Sequence, residues 1–541
     1  MNKKIIKITN LNKEISIEVD EEENSRQTLA QIFLKNEIYI SNVCYGNGTC
    51  GKCKIKLPFK KLVITDEERA MLTSKEIEQG ICLACKTKLS DLYIENQESE
   101  IRVELIGHLE EHIQVEKRTL GLKNINYKKE LQDNQREYYV AIDIGTTTIA
   151  MAMVDKNSGK IVDTYATLNH QRSYGADVVS RILASNQGKS HELKVILEED
   201  LGKGLEQFFE VSEKISDIIV SGNTTMIYLF LGYSCEKLGK YPFEVDEVKP
   251  VPCVLSKCMP NFLKEKKDIS EKLAGVLVTI VPWISAFVGG DIVAGVFGSQ
   301  GFETEDISLF IDLGTNGEIA LGNREKIVVT STAAGPAFEA GKIVCGTASV
   351  PGSICNVKIQ NQRAVVGTIK NQYPPIGICG SGLVSAIAEL RRKHLLNEQG
   401  LLEEPYLKTG YPLYVFENGE RISLYQKDIR EFQMAKSAIR AGIEILMQEQ
   451  GIAEDRIHTV YIAGGFGGAI DLEDYIITQI VPAEFRSKIQ ILGNSSLAGA
   501  ALLGQEKSGL DRMKKICERS TQIGLAESRL FQEKYLKYLN F

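Results

Sequence analysis

The cysteines near the N-terminus have a spacing that can hold metal. Cys44, Cys50 and Cys53 stand in "CYGNGTCGKC" as C-x5-C-x2-C, and Cys82 and Cys85 follow in "GICLACKTKL". A [2Fe-2S] cluster needs four thiolates on two irons and a loop whose backbone amides point at the sulfurs. Gly46, Gly48 and Gly51 suit such a loop, because glycine admits left-handed backbone and close approach. Cys44, Cys50 and Cys53 then supply three ligands, and Cys82 or Cys85 supplies the fourth. The rival is a zinc ribbon on Cys50, Cys53, Cys82 and Cys85, which leaves Cys44 and the glycines without a role.

A different chemistry begins at Asp143. "DIGTTT" and, from Asp312, "DLGTNGE" each place an aspartate at a strand end, then a glycine turn, then hydroxyl or amide side chains. The turns at Gly145 and Gly314, with Thr146, Thr147, Thr148, Thr315 and Asn316, can hold phosphate oxygens. Asp143 and Asp312 can hold Mg2+ through water. "VYIAGGFGGAID" then runs a strand into glycines, and Gly464, Gly465 and Gly467 let a flat base or ribose approach the backbone. No G-x-x-x-x-G-K-[ST] occurs, so the phosphate site is not a P-loop. "GGFGGAI" lacks the small residues at the offsets that a dinucleotide fingerprint requires.

The elements that must position these residues fall into blocks. Residues 1–105 carry short alternating strands ("KIIKI", "EISIEV", "IRVEL") and a helix expected over Thr28–Leu34, a small α+β unit around the cysteines. Residues 106–137 are polar and charged and read as a linker. "YYVAIDIGTTTIAMAMVD" and "LFIDLGTNGEIALGN" share one strand–turn–strand plan, offset by 312 − 143 = 169 residues. Such an echo predicts two similar subdomains facing each other, over 138–304 and 305–541, the second with a C-terminal helical extension. Helical stretches such as "SGLVSAIAELRRKHLL" and "QMAKSAIRAGIEILMQEQ" alternate with β-branched strands, an α/β pattern.

Composition excludes several classes. The chain has 541 residues, enough for two to four domains, and a net charge of -7, which disfavours nucleic acid and anionic membranes. The apolar run from Ala274 is broken by Pro282, Gly289, Gly290 and Asp291 and reads as strand, loop and helix rather than a membrane span. No secretory signal is visible, so a cytoplasmic setting is expected. Cys235, Cys253, Cys258, Cys345, Cys355, Cys379 and Cys517 read as free, mostly buried thiols. "HLEEH" at His108–His112 matches a metalloprotease pattern but sits in the polar linker. "RRKH" at Arg391–His394 reads as a solvated helix end whose charge favours the dipole.

On these motifs residues 1–105 resemble [2Fe-2S] ferredoxins of the β-grasp fold, and "LACK" matches the stretch carrying their last ligand, which implies Cys85. Residues 138 to about 505 resemble the duplicated, ribonuclease-H-like ATPases of the actin, Hsp70 and sugar-kinase superfamily. The order of "NHQRSYGADVVSRI", "SGNTTM", "FVGGDI", "DLGTNGE", "GPAFEAG", "GICGSGL" and "AGGFGGAID" is similar to one branch, the reductive activators of corrinoid proteins. The resemblance implies a multidomain oxidoreductase that hydrolyses ATP and reduces a corrinoid protein's cobalt from Co(II) to Co(I). It implies a [2Fe-2S] cluster on Cys44, Cys50, Cys53 and Cys85, Mg2+ on Asp143 and Asp312, and ATP between the turns. Asp291, in "GGDI" at a helix start, or Glu318 would orient the attacking water; a plain helix cap is the other reading of Asp291. An external low-potential donor, anaerobic methyl-transfer chemistry and a homodimer are further expectations. The alternative is an ATP-driven donor to another acceptor, such as an acyl-CoA dehydratase or aromatic-ring reductase. The relatives of that kind place a [4Fe-4S] cluster between two subunits.

Overall fold

Alternation in "KKIIKITN" and "KEISIEVD" puts Ile6, Ile8, Ile17 and Val19 on one face, so β1 (Lys3–Asn10) and β2 (Lys13–Asp20) pair antiparallel with that face buried. The computed structural model describes residues 3–10, 13–20, 24–36, 38, 40, 46, 48, 51, 53–61, 63–93, 100–106, 137–175, 177–245, 252–370, 373–464, 471–525 and 528–541. The helix expected from Thr28 is α1 (Leu29–Lys35), whose Leu29, Ile32 and Phe33 enter the same core. Then come β3 (Lys54–Lys56), the short helix α2 (Asp66–Met71), β4 (Ile81–Leu83) and β5 (Glu100–Leu105). The five strands form one sheet in the order β2-β1-β5-β3-β4. The expected linker and "HLEEH" lie outside the described residues.

The first Asp-Gly-Thr plan forms a hairpin of β6 (Tyr138–Ile144) and β7 (Thr148–Asp155). β8 (Ile161–Leu168), the helices α3 (Val178–Ala184) and α4 (Ser190–Val211), and β9 (Ile215–Gly222) follow. Next are α5 (Thr224–Leu231), β10 (Cys253–Val254), β11 (Leu277–Ile280) and α6 (Gly290–Ser299). The sheet order is β10-β11-β9-β6-β7-β8. The second plan forms β12 (Ile307–Leu313) and β13 (Gly317–Gly322), then β14 (Ile327–Thr332). β15 (Ser353–Gln360), β16 (Arg363–Thr368) and β17 (Gly377–Ile378) make a side sheet beneath α7 (Gly380–Arg392). β18 (Tyr411–Val415) and β19 (Arg421–Leu424) form a hairpin before the long α8 (Gln426–Gln450). β20 (Ile457–Ala463), β21 (Ile489–Gly493), α9 (Ser495–Gln505), α10 (Gly509–Glu518) and β22 (Ser520–Gln522) complete the third sheet, ordered β21-β20-β12-β13-β14-β22.

β6 and β12 play the same part. Each pairs antiparallel with its hairpin partner and parallel with a later strand, β9 or β20. Each buries both faces, which accounts for their nearly continuous apolar sequence. Val140, Ile142 and Ile144 face the α3–α4 side, while Tyr139 and Ala141 face a central core. Phe310 of β12 enters that same central core from the other sheet, with α6, α9 and α10 between the sheets. The two halves are thus joined by a shared helical layer.

Two expectations need correction. Cys253, in β10, and Cys258, the last of the helical residues Leu255–Cys258 that follow it directly, form a disulfide instead of standing free. "RRKH" is solvated only in its second half. Arg392 pairs with Glu389 at 2.8 Å and Asp474 at 2.6 Å, and Arg391 lies over the Phe541 ring, leaving Lys393 and His394 exposed. The helix end is neutralised from within the fold. Among the described residues no helix is long and apolar enough to cross a membrane.

Candidate functional site

In the N-terminal sheet the Sγ atoms of Cys53 and Cys85 lie 3.3 Å apart, and both residues are buried. That separation suits two thiolates on one tetrahedral iron. Gly46, Gly48 and Gly51 have φ of 78°, 77° and 64°, backbone that favours glycine. A Cβ on Gly48 would sit 2.6 Å from Lys86 Cε, so this loop closes on the turn that carries Cys85. Cys82 is fully buried, and burial pushes its thiol up to about 12; among the described residues no third Cys, His, Asp or Glu completes a metal-holding group with the Cys53–Cys85 pair. Cys44 and Cys50 lie outside the described residues. These features fit a [2Fe-2S] cluster.

A buried ion pair holds the Cys85 turn. Glu68, third residue of a Thr65-capped helix start, accepts the Leu83 N–H at 3.0 Å. Lys61 donates to Glu68 at 3.0 Å, to the Lys86 carbonyl at 3.0 Å and to Thr87 Oγ1 at 3.2 Å. The side chains are 2% and 0% exposed, so one lysine and one glutamate clamp the backbone on both sides of Cys85. The T-x-x-E in "TDEE" marks Glu68 in the sequence as a helix cap, but nothing there points to its hold on the Cys85 turn.

The two hairpin turns open on the cleft between the halves. In the first, the Gly145 N–H reaches the Thr148 carbonyl at 3.0 Å, and a Cβ on Gly145 would strike that oxygen at 2.5 Å. The turn is braced from outside. Asn169 donates to the Gly145 carbonyl at 2.8 Å, Arg181 to the Thr146 carbonyl, and Asn223 to the Thr146 hydroxyl at 2.9 Å. In the second turn the Gly314 N–H reaches the Asn316 carbonyl at 3.0 Å. The Thr315 hydroxyl is buried with no partner, an orphan donor of the kind a phosphate oxygen satisfies.

Four acidic side chains converge behind these turns. Asp143 accepts from Asn494 at 2.9 Å and from Ser496 at 2.7 Å, both at the start of α9 in the other half. Asp291 lies in the first turn of α6, two residues past the true N-cap position at Gly289, and accepts the Ile292 N–H at 2.9 Å. Gly289 packs so closely on Asn223 and Thr224 that a Cβ would come within 2.6 Å of the Thr224 nitrogen, which ties Asp291 to the first turn. Asp312 and Glu318 are direct cross-strand partners. Burial, then the charge of Asp143, pushes Asp291 up to about 7. Burial, then Asp291, Asp143 and Glu339, pushes Asp312 up to about 8. Glu318 is raised by burial and by Asp291 and Asp312, and Asp143 chiefly by burial. Such a set wants a cation. Among the described residues no three of these side chains close on one ion directly. Gly464 ends β20 with φ 143° and bonds back to the Gly493 carbonyl at 3.1 Å; Gly465 and Gly467 lie outside the described residues.

Comparison with known proteins follows the same division. Residues 9–90 match the 2Fe-2S iron-sulfur cluster binding domain, 138–302 the RACo middle region, and 306–541 the C-terminal domain of RACo, the ASKHA domain. The corrinoid activation enzyme RamQ of Eubacterium limosum is 31% identical over 436 residues, covering 75% of this chain and 71% of the relative. This chain belongs to the reductive activators of corrinoid proteins. Within that family, the [Co(II) methylated amine-specific corrinoid protein] reductase of Methanosarcina barkeri is 28% identical over 75% of this chain and 77% of its own length. A solved reductive activator for a corrinoid, iron–sulfur protein superposes with a TM-score of 0.69 at 25% identity, over 99% of this chain and 98% of that one. Family membership makes the chain an iron–sulfur oxidoreductase with an ASKHA ATPase domain, joining a β-grasp-type cluster domain to a duplicated α/β fold. Asn494 and Ser496 carry no clear signal in the sequence, and Glu339, although it stands in "GPAFEAG", carries none for its contacts with both turns: all three act only through tertiary contacts.

Proposed function

We propose that this chain reduces the cobalt of a partner corrinoid protein from Co(II) to Co(I), one electron at a time, driven by ATP. The observation that carries the reading is the joining, in one chain, of the Cys53–Cys85 thiol pair to a cleft where Asp143, Asp291, Asp312 and Glu318 face two Gly-Thr turns. Cys44, Cys50, Cys53 and Cys85 hold the cluster, and the Lys61–Glu68 pair fixes the turn that presents Cys85. When bound, the cluster supplies a one-electron donor near about −400 mV, refilled from an external low-potential donor.

Each 59 mV or so uphill costs about a tenfold loss in the one-electron equilibrium. ATP turnover in the cleft drives the two halves through a cycle that offsets such a gap. Thr146, Thr147, Thr148 and the Thr315 hydroxyl bind phosphate oxygens. Asn316 joins them, and Gly145 and Gly314 let the chain approach the phosphates. Asp143 and Asp312 hold Mg2+ through water. Asp291 or Glu318 orients the attacking water and accepts its proton, a role that a raised proton affinity suits. Gly464, Gly465 and Gly467 line the adenosine side.

Asp312→Asn tests this division of labour. The variant should keep the cluster absorbance, lose ATP hydrolysis by about a hundredfold or more, and lose Co(I) formation in parallel. Retention of full Co(I) formation by a variant that no longer hydrolyses ATP would remove ATP turnover from the mechanism.

A further inference from the structure

Glu339 ends a short 3₁₀ turn (Pro336–Glu339) after β14, and its carboxylate touches both phosphate turns at once. Oε1 accepts the Thr315 N–H at 3.0 Å, and Oε2 accepts the Thr147 hydroxyl. One anion therefore fastens the first hairpin turn to the second. The atoms it occupies are a turn amide and a threonine hydroxyl, the donors such turns offer to phosphate oxygens. The neighbouring Thr315 hydroxyl stays buried and unpartnered, so the pocket holds more donor capacity than Glu339 uses.

The surroundings do not resemble those of a purely structural carboxylate. Glu339 adds its charge to a cleft already lined by Asp143, Asp291 and Asp312, with Arg181 as a cation that feels it. The segment that presents it is held in unusual backbone. Gly335, Ala340 and Lys342 have φ of 77°, 57° and 60°, and the latter two are not glycine. A Cβ on Gly341 would sit 2.5 Å from Pro336, so the backbone of this segment is tightly packed and any release falls to the Glu339 side chain.

We propose that Glu339 is a nucleotide-competing latch. In the nucleotide-free protein its carboxylate holds the donors that a nucleotide phosphate takes over, and it releases both turns when Mg-ATP enters. The inference rests on the reading of these turns as the ATP site. Nucleotide then binds only to the unlatched fraction, which weakens apparent affinity by that fraction. After hydrolysis the carboxylate recaptures the same donors and assists product release.

The test is calorimetric titration of the full-length, cluster-loaded protein with a Mg2+-bound, non-hydrolysable ATP analogue. Wild type is compared with Glu339→Gln, which keeps the shape and removes the charge, and with Glu339→Ala. Both variants should bind about tenfold tighter or more, the worth of a charged hydrogen bond removed from the competing state. Their nucleotide-free melting temperatures should fall, while the nucleotide-saturated values match wild type. Glu339→Gln carries the test if Glu339→Ala fails to fold. Equal or weaker binding by the folded variants would overturn the latch and leave Glu339 as an ordinary part of the site. Failure of folded wild type to bind would overturn the nucleotide site itself, and the latch with it.

Discussion

Asp312 and Glu318 face each other across the β12–β13 ladder, an arrangement that is unfavourable for two like charges. Burial first, and then the charges of neighbouring carboxylates, Asp143 on both residues and Asp291 on Asp312, make these carboxyls hold their protons to about pH 8 at Asp312 and about 7 at Asp291. Because these values lie above the ordinary carboxylate range of about 4, the native state binds the extra protons. The associated stability is therefore complete below about pH 4 and is lost as pH rises through about 7 to 8. Without Mg2+ and nucleotide, the melting temperature should fall across that window. Mg2+ should restore much of the loss, and Asp312→Asn should flatten the curve; a flat wild-type curve would show that the carboxylates do not share a field. In the cluster domain, Lys61→Met leaves Glu68 buried without its cation, at a cost of about 3–5 kcal/mol. Iron content per chain and the melting temperature of that domain should both drop, and unchanged values would separate the ion pair from the Cys85 turn.

At the scale of elements, α9 links the halves. It starts at an Asn494 cap whose Oδ1 accepts the Leu497 N–H at 2.8 Å while its amide donates to Asp143, 351 positions earlier. Asn494→Ala should cost about 1 kcal/mol of cap stability and a larger share of ATPase activity, since Asp143 loses a bond as well. α6 and α9 cross at glycines, and a Cβ on Gly499 would meet the Ala294 carbonyl at 2.0 Å. Gly499→Val should therefore give little folded protein, whereas Gly275→Ala, with open space around it, should be nearly silent. These contacts mark the limit of what the sequence discloses. The twin hairpins, the apolar strands and the α7 and α8 helices follow from local periodicity and turn residues, and all are visible in the chain. The contacts of Asn494, Ser496 and Glu339 are not, even though Glu339 stands in the motif "GPAFEAG", because each acts on a turn or strand that is near only after folding. The neutralised Arg391–Arg392 end of α7 is hidden for the same reason, its partners Asp474 and Phe541 being distant in sequence. Cys253 and Cys258 are close in sequence, but their spacing alone does not distinguish a disulfide from two free thiols.

In the whole molecule, a cluster domain is joined to an ATPase fold. On the mechanism proposed above, the cluster domain carries the electron and the ATPase fold drives its uphill transfer, so cobalt reduction must wait for ATP. Anaerobic absorbance spectroscopy tests that dependence. A Co(II) corrinoid protein is mixed with catalytic amounts of this protein and a strong reductant, and Mg-ATP is added last. No Co(I) band should appear before ATP, and the band should grow afterwards over many turnovers. A Co(I) band that forms at the same rate without ATP, or none at all while the cluster is intact and ATP is hydrolysed, would contradict the mechanism.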